Sequence, residues 1–234
     1  MLEGMLFINK PVGVTSHDVV QLVRHKLSIR RVGHTGTLDP MAEGLLIVLV
    51  GVATKHQQAF QGHEKTYEAV LQLGAQTDTG DAMGTPVRTA PVPLLNTDDL
   101  HALLRTFQGP LSQTPPAYSA VKVRGRPAYW WARRHQPVEL SARMVHLFDV
   151  TLRECTADTM TFRVRCSAGT YIRVLAESIA ARLGTVGHLT KLVRLRVGTW
   201  GVEEASTFSW MAQASREAIA SKLQPLPVHA GTMP

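Results

Sequence analysis

Cysteine is scarce in this 234-residue chain, which holds only Cys155 and Cys166. Two thiols make neither a disulfide framework nor a four-ligand zinc set, so the pair points to a reducing compartment, the cytoplasm, with both thiols buried. Long apolar runs are missing too. The longest, Leu45 to Val50, falls far short of the roughly 20 residues that cross a bilayer. Met1 to Lys10 carries an acid and no apolar leader stretch, so neither a membrane span nor a signal peptide is expected. Charged residues make up 18% against 44% hydrophobic, a balance that supports a packed core and excludes a disordered chain. There is no His-x-x-x-His, no third ligand beside His34 and Asp39, and no GxGxxG after a strand. Gly13-Val14-Thr15-Ser16 lacks the lysine of a phosphate loop. No metal and no nucleotide cofactor are expected.

Positive charge, by contrast, is in excess. Lys plus Arg number 25 against 18 Asp plus Glu, a formal +7. A surplus of that size favours a polyanionic partner, although basic surfaces also occur without one. The chain shows no internal repeat, no low-complexity tract and no clear linker.

Leu6-Phe7-Ile8 reads as a strand stopped by the Lys10-Pro11-Val12-Gly13 turn. Ser16 is expected to cap a helix over 17–27, whose Val20, Val23 and Leu27 recur at helical spacing. A glycine-rich loop over 30–44 leads into the apolar strand 45–50, and 66–73 alternates as another strand. Residues 76–93 read as one long loop, and Thr97 as the cap of a helix holding Leu100, Leu103, Leu104 and Phe107. Strands follow near 144–153, 160–166 and 192–197. A helix within 169–184 turns Val174, Leu175, Ile179 and Leu183 inward and ends at a glycine, and a short helix follows Phe208. Helices and strands mix without a βαβ rhythm, which predicts an α+β fold.

One loop stands out chemically: Gly33-His34-Thr35-Gly36-Thr37-Leu38-Asp39-Pro40. Its glycines permit unusual backbone, and Pro40 drives Asp39 out of the helical region. An Asp-Pro after glycines is ordinarily a turn. It is also a way to hold one carboxylate just ahead of a buried strand.

Gly33 to Pro40, continued by Met41-Ala42-Glu43-Gly44-Leu45-Leu46, resembles the catalytic motif of the TruB family of tRNA pseudouridine synthases. Five further segments agree in order: Asn9 to Ser16, Lys65 to Ala69, Thr77 to Asp81, Gln113 to Lys122, and Gly169 to Arg173. The resemblance runs from about residue 5 to about residue 200. It implies a pseudouridine synthase fold, a central mixed or antiparallel sheet flanked by helices with an active-site cleft. It also implies an isomerase that turns uridine-55 in the T-loop of tRNA into pseudouridine, without metal or cofactor.

By this resemblance Asp39 is the catalytic carboxylate. It acts either by attack forming a covalent intermediate or by removing a sugar proton to give a glycal. Arg173 is its guanidinium partner, and Tyr67, also catalytic, stacks on the target base and takes part in proton transfer at C5. Tyr171 and Leu192 line the uracil pocket, and His34 stacks in the rearranged loop once the base is flipped. Lys10 counts among the substrate-binding residues. Arg30, Arg31, Lys122, Arg124, Arg126, Arg133 and Arg134, with Lys10, are candidates for phosphate contacts, while Tyr129, Trp130 and Trp131 either stack on bases or face the core.

The resemblance implies a tRNA T-arm as partner, no membrane and no protein partner, hence a monomer. Glu43 departs from the family, which commonly has a small hydroxyl residue there, and is expected to point to solvent. Many members continue into an RNA-binding PUA domain. Here the expectation is a single catalytic domain over 1–234, with a core over 5–200, a C-terminal extension over 201–234 and no PUA domain. A competing reading is a tRNA-binding folding chaperone with vestigial catalysis; a metal hydrolase built on His34 and Asp39 is a third.

Overall fold

The computed structural model describes residues 2–227. The described residues divide into two compact units, one formed by residues 2–66 and 193–227, the other by residues 67–192.

The first unit is organised by its most apolar segment. Strand β3 (Glu43–Val50) is buried at every position from Gly44 onward, so it needs cover on both faces, as a central strand does. Strand β1 (Gly4–Lys10) pairs antiparallel along its whole length, Lys10 opposite Gly44 and Gly4 opposite Val50. Strand β2 (Val32–His34) adds a short antiparallel pairing to the last residues of β3. Helix α1 (Ser16–Leu27) buries Val19, Val20, Val23 and Leu27. Its cap is Thr15 rather than the expected Ser16. The Thr15 hydroxyl accepts from the Asp18 amide and the Asp18 carboxylate accepts from the Thr15 amide, a reciprocal capping box. Ser16 is thereby freed for a different bond. Past Gly51, a 3₁₀ turn leads into helix α2 (Gln57–Gln61), which seats Phe60 against Met5, Phe7, Leu45, Ile47 and Leu49.

The second unit opens as strand β4 (Lys65–Leu73) enters it, buried at every second residue. The stretch expected to be one loop carries a short hairpin of β5 (Ala75–Thr77) and β6 (Pro86–Thr89). Propensity missed it because Pro86 sits on a strand paired on one side alone, where its missing amide costs little. Helix α3 (Thr97–Arg105) is capped by Asn96, whose carboxamide oxygen accepts from the amides of Asp98 and Asp99, so the cap lies one residue before the expected Thr97. Phe107 is buried just past its end.

Strand β7 (Gly109–Gln113) comes next, and then a two-stranded ribbon of β8 (Lys122–Val123) and β9 (Arg126–Pro127). Its turn is Arg124-Gly125, both at positive φ (50° and 76°), the twist a two-residue hairpin requires. Helix α4 (Ala128–Ala132) follows. Strands β10 (Arg143–Cys155) and β11 (Thr159–Cys166) pair antiparallel, and β10 carries β7 on its other edge. Helix α5 (Ile172–Arg182) buries Ile172, Arg173, Leu175, Ala176, Ile179 and Ala180 and ends before Gly184 (φ 77°). Val174 and Leu183, expected inward, are half-buried. Both cysteines are free, but only Cys166 is fully buried; Cys155, at the end of β10, is partly exposed.

Strand β12 (Gly187–Val197) brings the chain back into the first unit, where Val193 and Arg194 pair parallel with Glu43 and Gly44. Strand β13 (Trp200–Gly201) folds back on β12, and β14 (Ser206–Thr207) pairs parallel with Ile8 and Asn9 of β1. Helices α6 (Phe208–Gln213) and α7 (Arg216–Ala220) pack on α1. The fold is α+β with a mixed sheet. The part of the expected C-terminal extension beyond residue 227 lies outside the described residues.

Candidate active site

Asp39 sits in the loop between β2 and β3, and its backbone is tied on both sides. Just ahead of it, the buried Ser16 hydroxyl accepts from the Leu38 amide at 2.8 Å and donates to the Leu38 carbonyl at 3.1 Å. Just after it, the Gly13 amide donates to the Pro40 carbonyl at 2.8 Å, and the Ala42 amide to the Asp39 carbonyl at 3.0 Å. Leu38, Met41 and Ala42 are buried while Asp39 stays half-buried. The sequence thus holds a carboxylate at a partly open position on a fixed frame.

Two cations lie beneath this frame. Lys10 ends β1 and is fully buried, its ammonium donating to the carbonyls of Pro11 (2.8 Å) and Val14 (2.6 Å). Burial lowers its pKa from 10.5 to about 8, against the opposing pull of Asp39; Arg194 lowers it further, while Glu43 and Asp18 raise it. A phosphate contact by Lys10 is therefore ruled out by burial: it supports the turn and the charge around Asp39. Arg194 of β12 is buried as well, donating to the carbonyls of Leu45 (2.7 Å), Gly36 (3.0 Å) and Thr37 (3.5 Å). Glu43, expected in solvent, is half-buried at the start of β3 and within electrostatic reach of Lys10.

His34 is half-buried at the end of β2, where its Nδ1 accepts from the Gly36 amide at 3.3 Å. That bond places the ring proton on Nε2. Burial, then Arg194 and His17, lower its pKa below the ordinary value, which favours the neutral ring.

In the second unit, Tyr67 lies on the buried side of β4. Arg173, in the first turn of α5, is buried and donates to the carbonyls of Thr79 (2.7 Å) and Tyr118 (2.8 Å), with its Nε 3.8 Å from the Asp81 carboxylate. Asp81 is held in turn by the Thr79 hydroxyl (2.7 Å) and the Met83 amide (3.0 Å). Glu177, one turn beyond Arg173, has its pKa raised by burial, opposed by a hydrogen bond from Gln76 and by Arg173.

Tyr171 precedes α5. Buried Gln113 grips its backbone with both ends of its amide, accepting from the Tyr171 amide (3.0 Å) and donating to its carbonyl (3.3 Å). The Arg143 guanidinium stands 5.9 Å from the Tyr171 ring. Leu192 is buried on β12. Within their own units, then, the structure groups Asp39, His34 and Lys10 around one loop, and Arg173 and Tyr171 at the start of one helix.

The basic candidates Arg30, Arg31, Lys122, Arg124, Arg126, Arg133 and Arg134 are all exposed. Around α4 they interleave with aromatics: the Arg134 guanidinium lies 3.7 Å from the Trp130 ring centre, and Arg133 5.4 Å from that of Tyr129. Tyr129 is 40% exposed, whereas Trp131 turns inward and donates to the Val123 carbonyl at 3.1 Å. Among the described residues no cluster of three His, Cys, Asp or Glu could hold a metal, and no helix is long and apolar enough to cross a membrane.

Residues 24–172 match the model of the TruB family pseudouridylate synthase N-terminal domain. This chain belongs to the TruB family. It is 41% identical over its full length to the tRNA pseudouridine synthase B of Aromatoleum aromaticum (strain DSM 19018 / LMG 30748 / EbN1), covering 76% of that protein. To the enzyme of the same name from Thermobifida fusca (strain YX) it is 47% identical over 91% of its length, covering 75% of that protein. Among solved structures it is similar to a chain in a Cbf5-Nop10-Gar1 complex, at TM-score 0.71 and 28% identity, over 95% of this chain and 60% of that one. An H/ACA RNP bound to a substrate RNA containing 2′-deoxyuridine is similar at TM-score 0.69 and 25% identity, and this chain spans 59% of the matching one.

The motif reading passed over four members of this TruB architecture: Ser16, Asp81, Gln113 and Arg194. Arg194 left a signal, because it stands two residues from Leu192, on the same face of β12, and both are buried. Ser16, Asp81 and Gln113 left none beyond lying inside recognised segments, since their partners are backbone groups or near neighbours brought together by folding.

Proposed function

We propose that this TruB-family chain is a tRNA pseudouridine synthase acting on uridine-55 of the T-loop. The observation that carries the reading is Asp39, a partly open carboxylate whose flanking backbone is fixed by Ser16 and Gly13 and whose surroundings hold a buried ammonium. The reaction breaks the bond between N1 of uracil and C1′ of ribose and forms one from C5 to C1′. C5 loses its proton and N1 gains one, so no redox change occurs.

In this proposal Asp39 acts at the sugar or base, by covalent attack or by proton removal. Arg173 orients and stabilises charge, Tyr67 packs on the reacting base, and Tyr171 and Leu192 bound the uracil. His34 stacks in the rearranged loop once the base is flipped; burial and Arg194 favour its neutral form. The exposed arginines and the Trp130 stack meet the phosphates and bases of the arm. The chain acts as a monomer in the cytoplasm.

The test is release of tritium from a tRNA transcript labelled at uridine C5. Wild type should release one tritium per tRNA and Asp39→Asn none. Release by Asp39→Asn at the wild-type rate would refute the role of Asp39. A wild type that remodels tRNA without releasing tritium would favour the chaperone reading.

A further inference from the structure

Arg194 is among the largest fully buried side chains of the protein, 1% exposed, and a guanidinium leaves water at considerable cost. Its three hydrogen bonds compensate that cost with main-chain carbonyls, so its positive charge is solvated by dipoles and not cancelled by them. The carbonyls belong to two separate segments. Leu45 lies in β3, whereas Gly36 and Thr37 lie in the loop, three and two residues before Asp39. One rigid, planar group therefore spans from the strand to the loop.

The approach is also built into the backbone. Arg194 pairs with Gly44, which has φ 106°, and a Cβ at Gly44 would collide with the Arg194 carbonyl and lie 2.7 Å from its amide nitrogen. Gly44 thus lets β12 come close enough for the guanidinium to pass beneath β3 into the loop. Lys10 feels both Asp39 and Arg194, which places the three charges in one electrostatic neighbourhood.

We propose that Arg194 is a positioning residue for the isomerisation, fixing the Gly36-Thr37 backbone and through it the location and the electrostatic setting of the Asp39 carboxylate. This rests on the catalytic reading of Asp39 given above. Misplacement of a reacting group by about 1 Å costs on the order of 100-fold in rate. Loss of the clamp therefore acts on kcat and leaves KM for tRNA nearly unchanged, because Arg194 is buried and faces no RNA.

The experiment compares Arg194→Met, Arg194→Lys and Val23→Ala in the tritium assay, with thermal melting of each. Val23 is buried in α1, has no part in the loop, and supplies a loss of stability of purely structural origin. At a temperature well below every melting point, Arg194→Met should lose about 100-fold in kcat with KM within about threefold of wild type. Arg194→Lys keeps the charge but cannot span three carbonyls. It should recover part of that rate, about tenfold below wild type, and it carries the test if Arg194→Met does not fold. Val23→Ala should melt lower with kcat unchanged. The proposal is overturned if Arg194→Lys turns over at the wild-type rate, or if Val23→Ala loses kcat in proportion to its melting point as the Arg194 variants do. Failure of the underlying reading is distinguishable, since wild type itself would then release no tritium.

Discussion

Removing the hydroxyl of Ser16 tests how the Asp39 loop is held. In the folded protein that one oxygen both accepts from the Leu38 amide and donates to the Leu38 carbonyl, inside a buried environment. Ser16→Ala removes both bonds, and alanine is no worse a helix former. Each main-chain group left without a partner costs about 1–3 kcal/mol, and the carbonyl is the cheaper because water or a neighbour can reach its second lone pair. The sum is about 2–4 kcal/mol. At this chain length each kcal/mol moves the melting point by about 2–4 °C, which gives a fall of about 4–16 °C. Because Leu38 adjoins Asp39, kcat should also drop about tenfold, with little change in KM. Thr15→Ala is the matched control. It removes the exposed cap one residue earlier, at about 1 kcal/mol, without touching Leu38. Melting curves and tritium release on the two variants decide the matter. If Ser16→Ala melts no lower than Thr15→Ala and keeps the wild-type kcat, the loop is not held by this bond and the reasoning fails.

Lys10 predicts a pH response. With its pKa lowered to about 8 from 10.5, the unfolded chain retains a proton between those values that the folded chain has released, so the contribution of Lys10 to stability rises from pH 8 to 10.5. Activity should move the opposite way, falling above about pH 8 as the ammonium beside Asp39 discharges; Lys10→Met should flatten both trends, read by melting points and pH–rate profiles. The exposed arginines predict a steep decline of tRNA affinity with salt, and Arg124→Ala plus Arg126→Ala should lower the slope of log K against log salt by about 2 if both meet phosphates. A slope unchanged in the double variant would place the RNA elsewhere.

The α+β class, the strands around residues 45–50 and 66–73, the helix over 17–27 and the helix after Thr97 were legible because burial follows simple periodicity there, although that last helix ends at Arg105, short of the expected Phe107. The Asp39 loop was legible because its residue types are unusual in a row. What could not be read was decided by geometry. Thr15 and Asn96 are the caps because a cap is chosen by which oxygen reaches an amide, and adjacent Ser, Thr and Asn compete for that position. Lys10 looked like a phosphate ligand because sequence gives charge without depth. Burial at the end of β1 turned it inward. The β5–β6 hairpin was obscured by prolines and glycines that sequence reads as loop.

The guanidinium that braces the Asp39 loop comes from a late part of the chain. Arg194 follows the whole of the 67–192 unit, so on the ribosome the loop is made long before its brace exists. At about 5–20 residues per second the interval is on the order of ten seconds. During that time β3 has β1 and β2 beside it but lacks β12. The nascent chain can present its carboxylate in that interval without the frame that fixes it. Maturation of the site is then tied to completion of synthesis, and truncated products ending before residue 194 should be inert, whatever their remaining structure.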